Sequence, residues 1–258
     1  MLIIKLKSIL NYHCVFYLYP KNRMKNILIA STSTLHGGKH LEYLLPELAI
    51  LFQKCKTILF IPYARPSGIS HEDYTIIVAE SFSKININIK GLHEFQNPIE
   101  AIENAEGVFT GGGNTFLLVS QLYANKIMNK LSEVVKKGTP YLGTSAGSNI
   151  CGLTMQTTND MPIVYPPSFL TLGLIPFNIN PHYLDVEKSS IHMGETRETR
   201  INEFHAFNTV PVLGLREGSW LKVQNNRITL KGNLSARLFK KGQTPVEIES
   251  ESDITNLK

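Results

Sequence analysis

The sequence contains few cysteines, and their spacing indicates no metal site. Its 258 residues include three cysteines, Cys14, Cys55 and Cys151, which form neither a metal-type pair nor a disulfide framework. This pattern is typical of a protein from a reducing compartment, so we expect a cytoplasmic protein. Cys151 follows a motif described below by a few positions and is expected to pack in the core rather than to react.

Residues 24–258 also lack a large excess of positive charge. The formal net charge is +5, with 26 Lys and Arg against 21 Asp and Glu. Four of the basic residues precede Met24, in a stretch without acids, so the remainder carries 26 − 4 = 22 basic and 21 acidic residues, or +1. A nearly neutral body argues against nucleic acid as a partner.

No hydrophobic run is long enough to span a membrane. Residues 1–23 combine early lysines with an apolar stretch that loosely resembles a signal peptide, but Asn11, Tyr12 and His13 interrupt it and no small-residue cleavage site follows. The stretch is too short and too polar for a membrane span. We therefore expect Met24 to be the working start, residues 1–23 to be an extension that need not belong to the mature protein, and no membrane partner.

From residue 24 onward, short apolar runs alternate with helical patterns. This alternation predicts an α/β fold with a mostly parallel sheet and helices on both faces. The predicted strands in this half are 26–31, 57–62, 85–89, 107–110 and 140–143, and the predicted helices are 41–54, 73–83, 99–104 and one or two within 115–137.

The second half of the chain has a different pattern. Residues 156–183 are predicted to be rich in loops, and a helix is predicted over 195–206. Five short runs separated by Gly or Asn then predict an antiparallel flank: 210–215, 219–223, 227–230, 236–239 and 246–249. Because no linker or internal repeat separates these parts, we expect one catalytic domain over residues 24–258.

The most informative motif is Gly143-Thr144-Ser145-Ala146-Gly147. Its Gly-x-Ser-x-Gly spacing after an apolar run is that of a nucleophile elbow, which presents a serine at a strained strand-to-helix turn. Two glycines and a serine at this spacing arise by chance in roughly one chain in ten or twenty of this length. The motif therefore predicts covalent acyl transfer at Ser145 only if the chain also supplies a base, an acid and oxyanion donors.

A glycine run, Gly111-Gly112-Gly113, follows a predicted strand and precedes a predicted helix. The backbone N–H groups of such a turn bind phosphate or stabilise an oxyanion. The chain has neither a P-loop motif nor the dinucleotide-binding glycine fingerprint. We therefore expect no nucleotide cofactor, and we expect the N–H groups of Gly113 and Ala146 to form an oxyanion hole.

His182 is the best candidate for the base among eight histidines. It follows Pro181, which restricts the backbone beside it, at the end of an apolar stretch. Two acids, Asp160 and Glu217, could hold the imidazole in the required tautomer. Spacing alone does not distinguish them, because catalytic triads occur in several chain orders.

Six motifs together resemble the peptidase E (α-aspartyl dipeptidase) family of serine peptidases, in the family's order and over essentially everything from Met24 onward. They are Gly-Gly-Gly-Asn-Thr-Phe (111–116), Gly-x-Ser-Ala-Gly-x-Asn (143–149), Thr-Thr-Asn-Asp-Met-Pro-Ile-Val (157–164), Ile-Asn-Pro-His (179–182), Gly-Glu-Thr-Arg-Glu-x-Arg (194–200) and Glu-Gly-x-Trp (217–220). Six collinear motifs are far more specific than the elbow alone.

The resemblance implies a three-layer fold related to the glutamine-amidotransferase-like, flavodoxin-like proteins. It also implies removal of an N-terminal aspartate from dipeptides, without a metal or other cofactor. The family's nucleophile matches Ser145 and its base matches His182, while its acid has been ascribed to positions matching Glu217 or Asp160. We favour Glu217 as the acid and expect Asp160 to shape the site or bind the substrate's amino group.

Substrate selectivity is expected to depend on the motif around residues 194–200. Arg197 and Arg200 share one helical face, and a guanidinium binds a carboxylate through two hydrogen bonds. Asn114 and Asn159 are further candidates for substrate binding, and His192 is a weaker one.

Thr144 departs from the aromatic residue that is common before the nucleophile in this family, and there resembles the related cyanophycinases. The alternative activity is therefore that of a cyanophycinase-like or isoaspartyl peptidase. A non-enzymatic alternative is an inactive homologue that binds ligands. The sequence does not decide between a monomer and a homodimer.

Overall fold

The computed structural model describes residues 25–185 and 193–257 of the chain. The proposed extension over residues 1–23, the proposed start at Met24 and the weaker candidate His192 lie outside the described residues. The division of the chain into an extension and one catalytic domain therefore stays a prediction.

Eleven strands are present in the described residues. They are β1 (Asn26–Ala30), β2 (Thr57–Ile61), β3 (Asn88–Gly91), β4 (Val108–Thr110), β5 (Tyr141–Thr144), β6 (Asn178–Pro181), β7 (Val212–Leu215), β8 (Ser219–Gln224), β9 (Arg227–Gly232), β10 (Ala236–Phe239) and β11 (Val246–Ile248).

Seven α-helices accompany these strands in the same part of the chain. They are α1 (Leu45–Leu51), α2 (His71–Ser83), α3 (Pro98–Glu103), α4 (Thr115–Ala124), α5 (Met128–Lys136), α6 (Ala146–Asn149) and α7 (Arg197–Phe207). None of the helices in the described ranges combines the length and the apolar composition that crossing a bilayer requires.

The main sheet has seven strands in the order β3-β2-β4-β5-β1-β8-β9. The first five pair in parallel, and β8 and β9 extend the sheet in antiparallel pairing. Strands β1 and β2 are almost continuously apolar and buried, as expected for parallel strands covered on both faces. The predicted α/β fold with a mostly parallel sheet is confirmed.

Helices cover both faces of this sheet. Alternate residues of β1 enter two separate apolar clusters, with Ile27 and Ile29 in one and Leu28 and Ala30 in the other. The first cluster includes buried residues of α3, α4 and α5, and the second includes residues of α1 and α2. This arrangement is the predicted three-layer sandwich.

A smaller sheet has the order β11-β10-β7-β6. Its strand β6 lies inside the stretch predicted to be loops and pairs in parallel with β7. The apolar runs predicted to form one antiparallel flank thus divide between the two sheets, since β8 and β9 join the main one. Strand β6 has no clear apolar pattern because Asn178 and Asn180 bind neighbouring loop segments through their side-chain amides.

Candidate active site

Ser145 lies in the turn between β5 and α6. Its backbone has φ 54° and ψ −111°, an unusual conformation for a residue with a side chain. The flanking glycines are required by space: a Cβ at Gly143 would come within 2.4 Å of the Gly147 oxygen, and one at Gly147 within 2.1 Å of the Thr110 oxygen. The sequence therefore forms a nucleophile elbow with a partly exposed serine hydroxyl.

Thr144, the residue before the elbow, is completely buried, and its hydroxyl has no hydrogen-bond partner among the described residues. Any influence of Thr144 on substrate preference must therefore act through packing beneath the elbow.

His182 lies directly after β6 and faces Ser145. Its Nε2 is 2.8 Å from the Ser145 Oγ, a hydrogen-bonding distance between a base and a hydroxyl. The His182 backbone also has a positive φ, 53°. The chain reverses here so that the imidazole lies over the carboxyl end of the main sheet.

Glu217 completes this chain of hydrogen bonds. Its Oε1 lies 2.6 Å from Nδ1 of His182, and the residue occupies the turn between β7 and β8 beside Gly218, whose φ is 88°. The His182 and Glu217 side chains are 33% and 44% exposed, so a small solute can reach them. Serine, histidine and carboxylate are thus arranged in sequence, as acyl transfer requires.

Asp160 is located elsewhere in the site and makes no hydrogen bond to His182. Its Oδ2 accepts hydrogen bonds from the Thr115 N–H (2.7 Å), the Thr115 hydroxyl (2.6 Å) and the Thr158 hydroxyl (2.9 Å). The carboxylate therefore lies at the N-terminus of α4, where the helix dipole favours negative charge. Of the two acids that the sequence left open, the structure pairs Glu217 with the imidazole.

Two backbone N–H groups beside Ser145 are available to an oxyanion. Gly113 has φ 144°, and a Cβ there would come within 2.2 Å of the Ala64 oxygen, so only glycine fits. Its N–H has no acceptor among the described residues, whereas the Gly112 N–H is occupied by the Tyr74 hydroxyl at 3.1 Å. Ala146 is the first residue of α6, and its N–H has no acceptor within the helix.

The amide side chains of Asn114 and Asn159 are both occupied within the protein. Asn114 caps α4 by accepting from the Leu117 N–H (3.0 Å) and donates to the Met161 oxygen (2.9 Å). Asn159 donates to the Pro181 oxygen (2.6 Å) and accepts from Asn180 (2.7 Å). These contacts hold the α4 N-terminus and the segment that leads into His182.

The two candidate arginines have different environments. Arg200 is exposed and lies 3.6 Å from the Glu195 carboxylate. Arg197 is half-buried and has no hydrogen bond or ion pair with any described residue. Burial, followed by the neighbouring Arg200 charge, lowers the pKa of Arg197, while the negative charge of Asp160 acts in the opposite direction. Among the described residues, Arg197 therefore has no ionic partner in contact, and it lies within electrostatic reach of Asp160.

The sequence reasoning missed two residues that hold these groups. Ser31, at the end of β1, is completely buried and hydrogen-bonds to the backbone of His182. Arg216, next to Glu217, pairs with Asp185 (2.7 Å) and Glu247 (2.8 Å). Only weak signals in the sequence point to these two residues: Ser31 directly follows an apolar strand, and Arg216 directly precedes the acid.

One group of possible metal ligands occurs among the described residues, away from Ser145. Side-chain atoms of Glu72, His93 and Glu94 lie within 4.8 Å of one another. Each already has a protein partner: Glu72 contacts His93 Nε2 at 3.2 Å, and Glu94 accepts from the Gly91 N–H. The His93 Nδ1 is buried without a partner, whereas a metal-bound histidine normally donates its second N–H. The group therefore lacks the second-shell contact of a metal site.

Known proteins resemble this chain over most of its length. The model of Peptidase family S51 matches residues 27–231. Peptidase E of Streptomyces coelicolor is 46% identical over 232 residues, covering 90% of this chain and 94% of the relative. A Drosophila melanogaster protein named "Probable alpha-aspartyl dipeptidase" is 44% identical over 236 residues, covering 90% and 97%.

A solved structure gives the same result for the fold. The crystal structure of a peptidase from an acI-B1 Actinobacterium superposes with a TM-score of 0.68 and covers 92% of this chain and 99% of its own, at 16% identity. The resemblance inferred from six motifs is therefore confirmed, and the chain belongs to Peptidase family S51.

Proposed function

We propose that this protein is a serine dipeptidase that hydrolyses dipeptides with an N-terminal aspartate through an acyl-enzyme. The observation that carries the proposal is the continuous hydrogen-bonded chain from Ser145 through His182 to Glu217. Membership of Peptidase family S51 and the names of the two relatives support the same activity.

In the proposed mechanism, the Ser145 Oγ attacks the carbonyl carbon of the substrate aspartate. His182 Nε2 takes the hydroxyl proton as the bond forms, and Glu217 stabilises the resulting imidazolium through Nδ1–H. The carbonyl oxygen becomes an oxyanion and accepts hydrogen bonds from the N–H groups of Gly113 and Ala146.

Collapse of the tetrahedral intermediate breaks the peptide bond. His182 returns its proton to the departing amine, so the second residue leaves as a free amino acid. Water then attacks the acyl-enzyme, again with His182 as base, and aspartate is released with the Ser145 hydroxyl restored. Side chains and backbone groups of this chain perform every step of this sequence.

Recognition of the N-terminal aspartate is assigned to Arg197 and Asp160. The substrate's side-chain carboxylate requires a cation. Arg197 is half-buried, has no ionic partner in the part of the chain that the structure describes, and is able to form two parallel hydrogen bonds. The substrate's α-ammonium requires an acceptor, and the hydrogen bonds that described residues donate to the Asp160 carboxylate all use Oδ2. We assign Asp160 Oδ1 to this group. Arg200, exposed and close to Glu195, is assigned no contact.

Replacing Arg197 with methionine is expected to lower kcat/KM for an Asp-x dipeptide by about 10²–10³-fold, because a charged hydrogen-bonded pair with the substrate is lost. Arg200→Met is the matched control on the same helix face and is expected to change kcat/KM less than about threefold. Steady-state kinetics on Asp-Leu measures both. Equal losses in the two variants would contradict the assignment of Arg197.

Purified protein assayed on Asp-Leu, Glu-Leu, Asn-Leu and an isoaspartyl dipeptide tests the function itself. We expect rapid hydrolysis of Asp-Leu and at least about tenfold slower hydrolysis of the other three, since each alters the length, charge or position of the carboxylate. Preferred cleavage of the isoaspartyl bond, or release of β-aspartyl-arginine from its polymer, would instead support the cyanophycinase-like alternative. Failure to hydrolyse any of them would support the inactive homologue.

The expected partner is thus a small peptide. The cytoplasmic location and the absence of nucleic acid and membrane partners stay predictions from the sequence. The choice between monomer and homodimer stays open.

A further inference from the structure

Ser31 occupies the point where the carboxyl end of β1 meets the segments that carry the base and the acid. The residue is completely buried. Its hydroxyl accepts a hydrogen bond from the His182 N–H at 2.9 Å and donates one to the Leu215 oxygen at 2.7 Å. Its own N–H donates to the Ser219 oxygen at 3.1 Å. These contacts reach residue 182 itself and both sides of Glu217.

The neighbouring residue of β1 supports the nucleophile. The Ala30 oxygen accepts a hydrogen bond from the Ser145 N–H at 3.3 Å, and it also accepts from the Ser148 hydroxyl. Two consecutive residues at the end of one strand therefore contact the backbone of all three segments that carry Ser145, His182 and Glu217.

The contacts of Ser31 connect segments that belong to different sheets. Ser145 follows β5 of the main sheet and His182 follows β6 of the smaller sheet, whereas Glu217 lies in the turn from β7 of the smaller sheet to β8 of the main sheet. The register of β6 on β7 pairs the last residues of the two strands, which brings His182 and Glu217 to the same end of the smaller sheet, but it does not by itself bring His182 to Ser145. The Asn149 amide of α6 holds β6 at the Ile179 oxygen, whereas the Ser31 hydroxyl holds the chain at residue 182 itself and at the end of β7. Of these contacts, the one between Ser31 and residue 182 lies nearest to the imidazole.

A hydroxyl is chemically suited to this place. Its partners are one backbone donor and one backbone acceptor, and a serine hydroxyl is both an acceptor and a donor. Alanine at this position would leave the partly buried N–H of a residue with φ 53° without its partner, which costs free energy wherever water cannot replace that partner. The strained backbone of His182 could then relax away from Ser145.

We propose that Ser31 is a positioning residue that sets the alignment of the His182–Glu217 pair on Ser145. This inference rests on the proposed function, because it gives the three residues their roles. It predicts that the Ser31 hydroxyl affects the rate of the chemical step rather than substrate affinity.

Ser31→Ala is expected to lower kcat on Asp-Leu by about 10–100-fold while KM changes less than about threefold, since a displacement of about 1 Å in a reacting group costs on that scale. The acidic limb of the kcat/KM profile is expected to move to lower pH, because a misaligned Glu217 stabilises the imidazolium less. The low-field proton resonance of the Nδ1–H bond to Glu217 is expected to broaden or shift upfield.

Ser81→Ala is the matched control. Ser81 is also buried, and its hydroxyl contacts the backbone oxygens of His40 and Ile77 as well as the His40 Nδ1. It lies in α2 and contacts none of the three residues. We expect it to lower the Tm about as much as Ser31→Ala and to leave kcat, the pH profile and the resonance unchanged. Ser31→Cys, which retains a weak donor and acceptor of similar size, is expected to lie between wild type and Ser31→Ala and serves if the alanine variant does not fold.

A double-mutant cycle with Glu217→Gln completes the test. Because both changes act on the same imidazole, their effects on kcat are expected to be strongly non-additive. Additive losses, or a Ser31→Ala enzyme that loses Tm but keeps the wild-type kcat and pH profile, would overturn the proposal. If the wild-type protein hydrolyses no Asp-x dipeptide, the proposed function fails by itself, and the resonance in Ser31→Ala and Ser81→Ala still decides whether Ser31 aligns His182 with Glu217.

Discussion

Replacing Ser145 with alanine is expected to lower kcat on Asp-Leu by at least about 10⁴-fold, the largest effect of any single change in this protein. Loss of the nucleophile of a serine triad removes the covalent route, and the remaining rate comes from substrate binding and oxyanion stabilisation alone. The fold is expected to be retained, because the Ser145 side chain is partly exposed and the backbone φ of 54° is more easily adopted by a small residue. Steady-state kinetics measures the loss of kcat, and the Tm shows whether the fold is retained.

A covalent probe checks the same residue independently of any substrate. A fluorophosphonate reagent is expected to modify the wild-type protein at Ser145, with the adduct located by peptide mass spectrometry, and to leave Ser145→Ala unmodified. Ser83→Ala is a suitable control, because its exposed hydroxyl bonds only to the Glu80 oxygen at the end of α2. Full hydrolysis of Asp-Leu by Ser145→Ala would rule out the acyl-enzyme mechanism, whatever the substrate panel shows.

The central strands and most helices could be predicted because their apolar residues recur at the right spacing. Strands β1, β2, β4 and β5 match the predicted runs to within one residue at each end. Errors occur where backbone conformation overrides this pattern. Leu41 has φ 57°, so the predicted helix over 41–54 begins as a short 3-10 turn and is α-helical only over α1. Asn86, with φ 58°, delays the start of β3 relative to its predicted position.

Strand β6 could not be predicted, for a different reason. Its pairing is stabilised by side-chain amides and by β7, which lies some thirty residues further along the chain, rather than by an apolar alternation of its own. The contacts that hold the backbone of His182 also join residues that lie far apart in the sequence. Ser31 reaches its two backbone partners across 151 and 184 positions of sequence, and no local pattern encodes such a contact.

The residues of the candidate site also differ in whether the sequence could identify them. The nucleophile and the base stand in recognisable local motifs, so Ser145 and His182 could be selected from the sequence. The residues alone left Asp160 and Glu217 both open as the acid, and the preference for Glu217 rested on the family resemblance. The folded chain shows which carboxylate faces the imidazole. Likewise, the motif around residue 197 contains two arginines, and only the folded chain shows that Arg200 lies near Glu195 while Arg197 pairs with none of the residues that the structure describes. The catalytic and binding roles of all these residues stay predictions until variants are measured.

The roles of the two acids can be separated by their kinetics. Glu217→Ala is expected to lower kcat by about 10³–10⁴-fold with little change in KM, because the imidazole loses the group that fixes its tautomer and stabilises its charge. Asp160→Ala is expected to act mainly on KM, raising it at least about tenfold through loss of the contact to the substrate's ammonium. It is also expected to lower the Tm, since the N-terminus of α4 loses an acceptor for the Thr115 N–H.

Conservative variants show whether these differences come from charge or from geometry. Glu217→Gln retains an oxygen that can accept the 2.6 Å hydrogen bond from Nδ1–H but removes the negative charge, so it is expected to recover part of the Glu217→Ala loss. Asp160→Asn retains an acceptor for the Thr115 groups and is expected to restore the Tm more than the KM, because a neutral amide does not attract an ammonium. A Glu217→Ala enzyme that loses less than about tenfold in kcat would remove Glu217 from the triad. If Asp160→Ala then showed the larger loss in kcat with an unchanged KM, the acid that supports His182 during turnover would be Asp160, and the imidazole would have to turn away from the position it occupies beside Glu217.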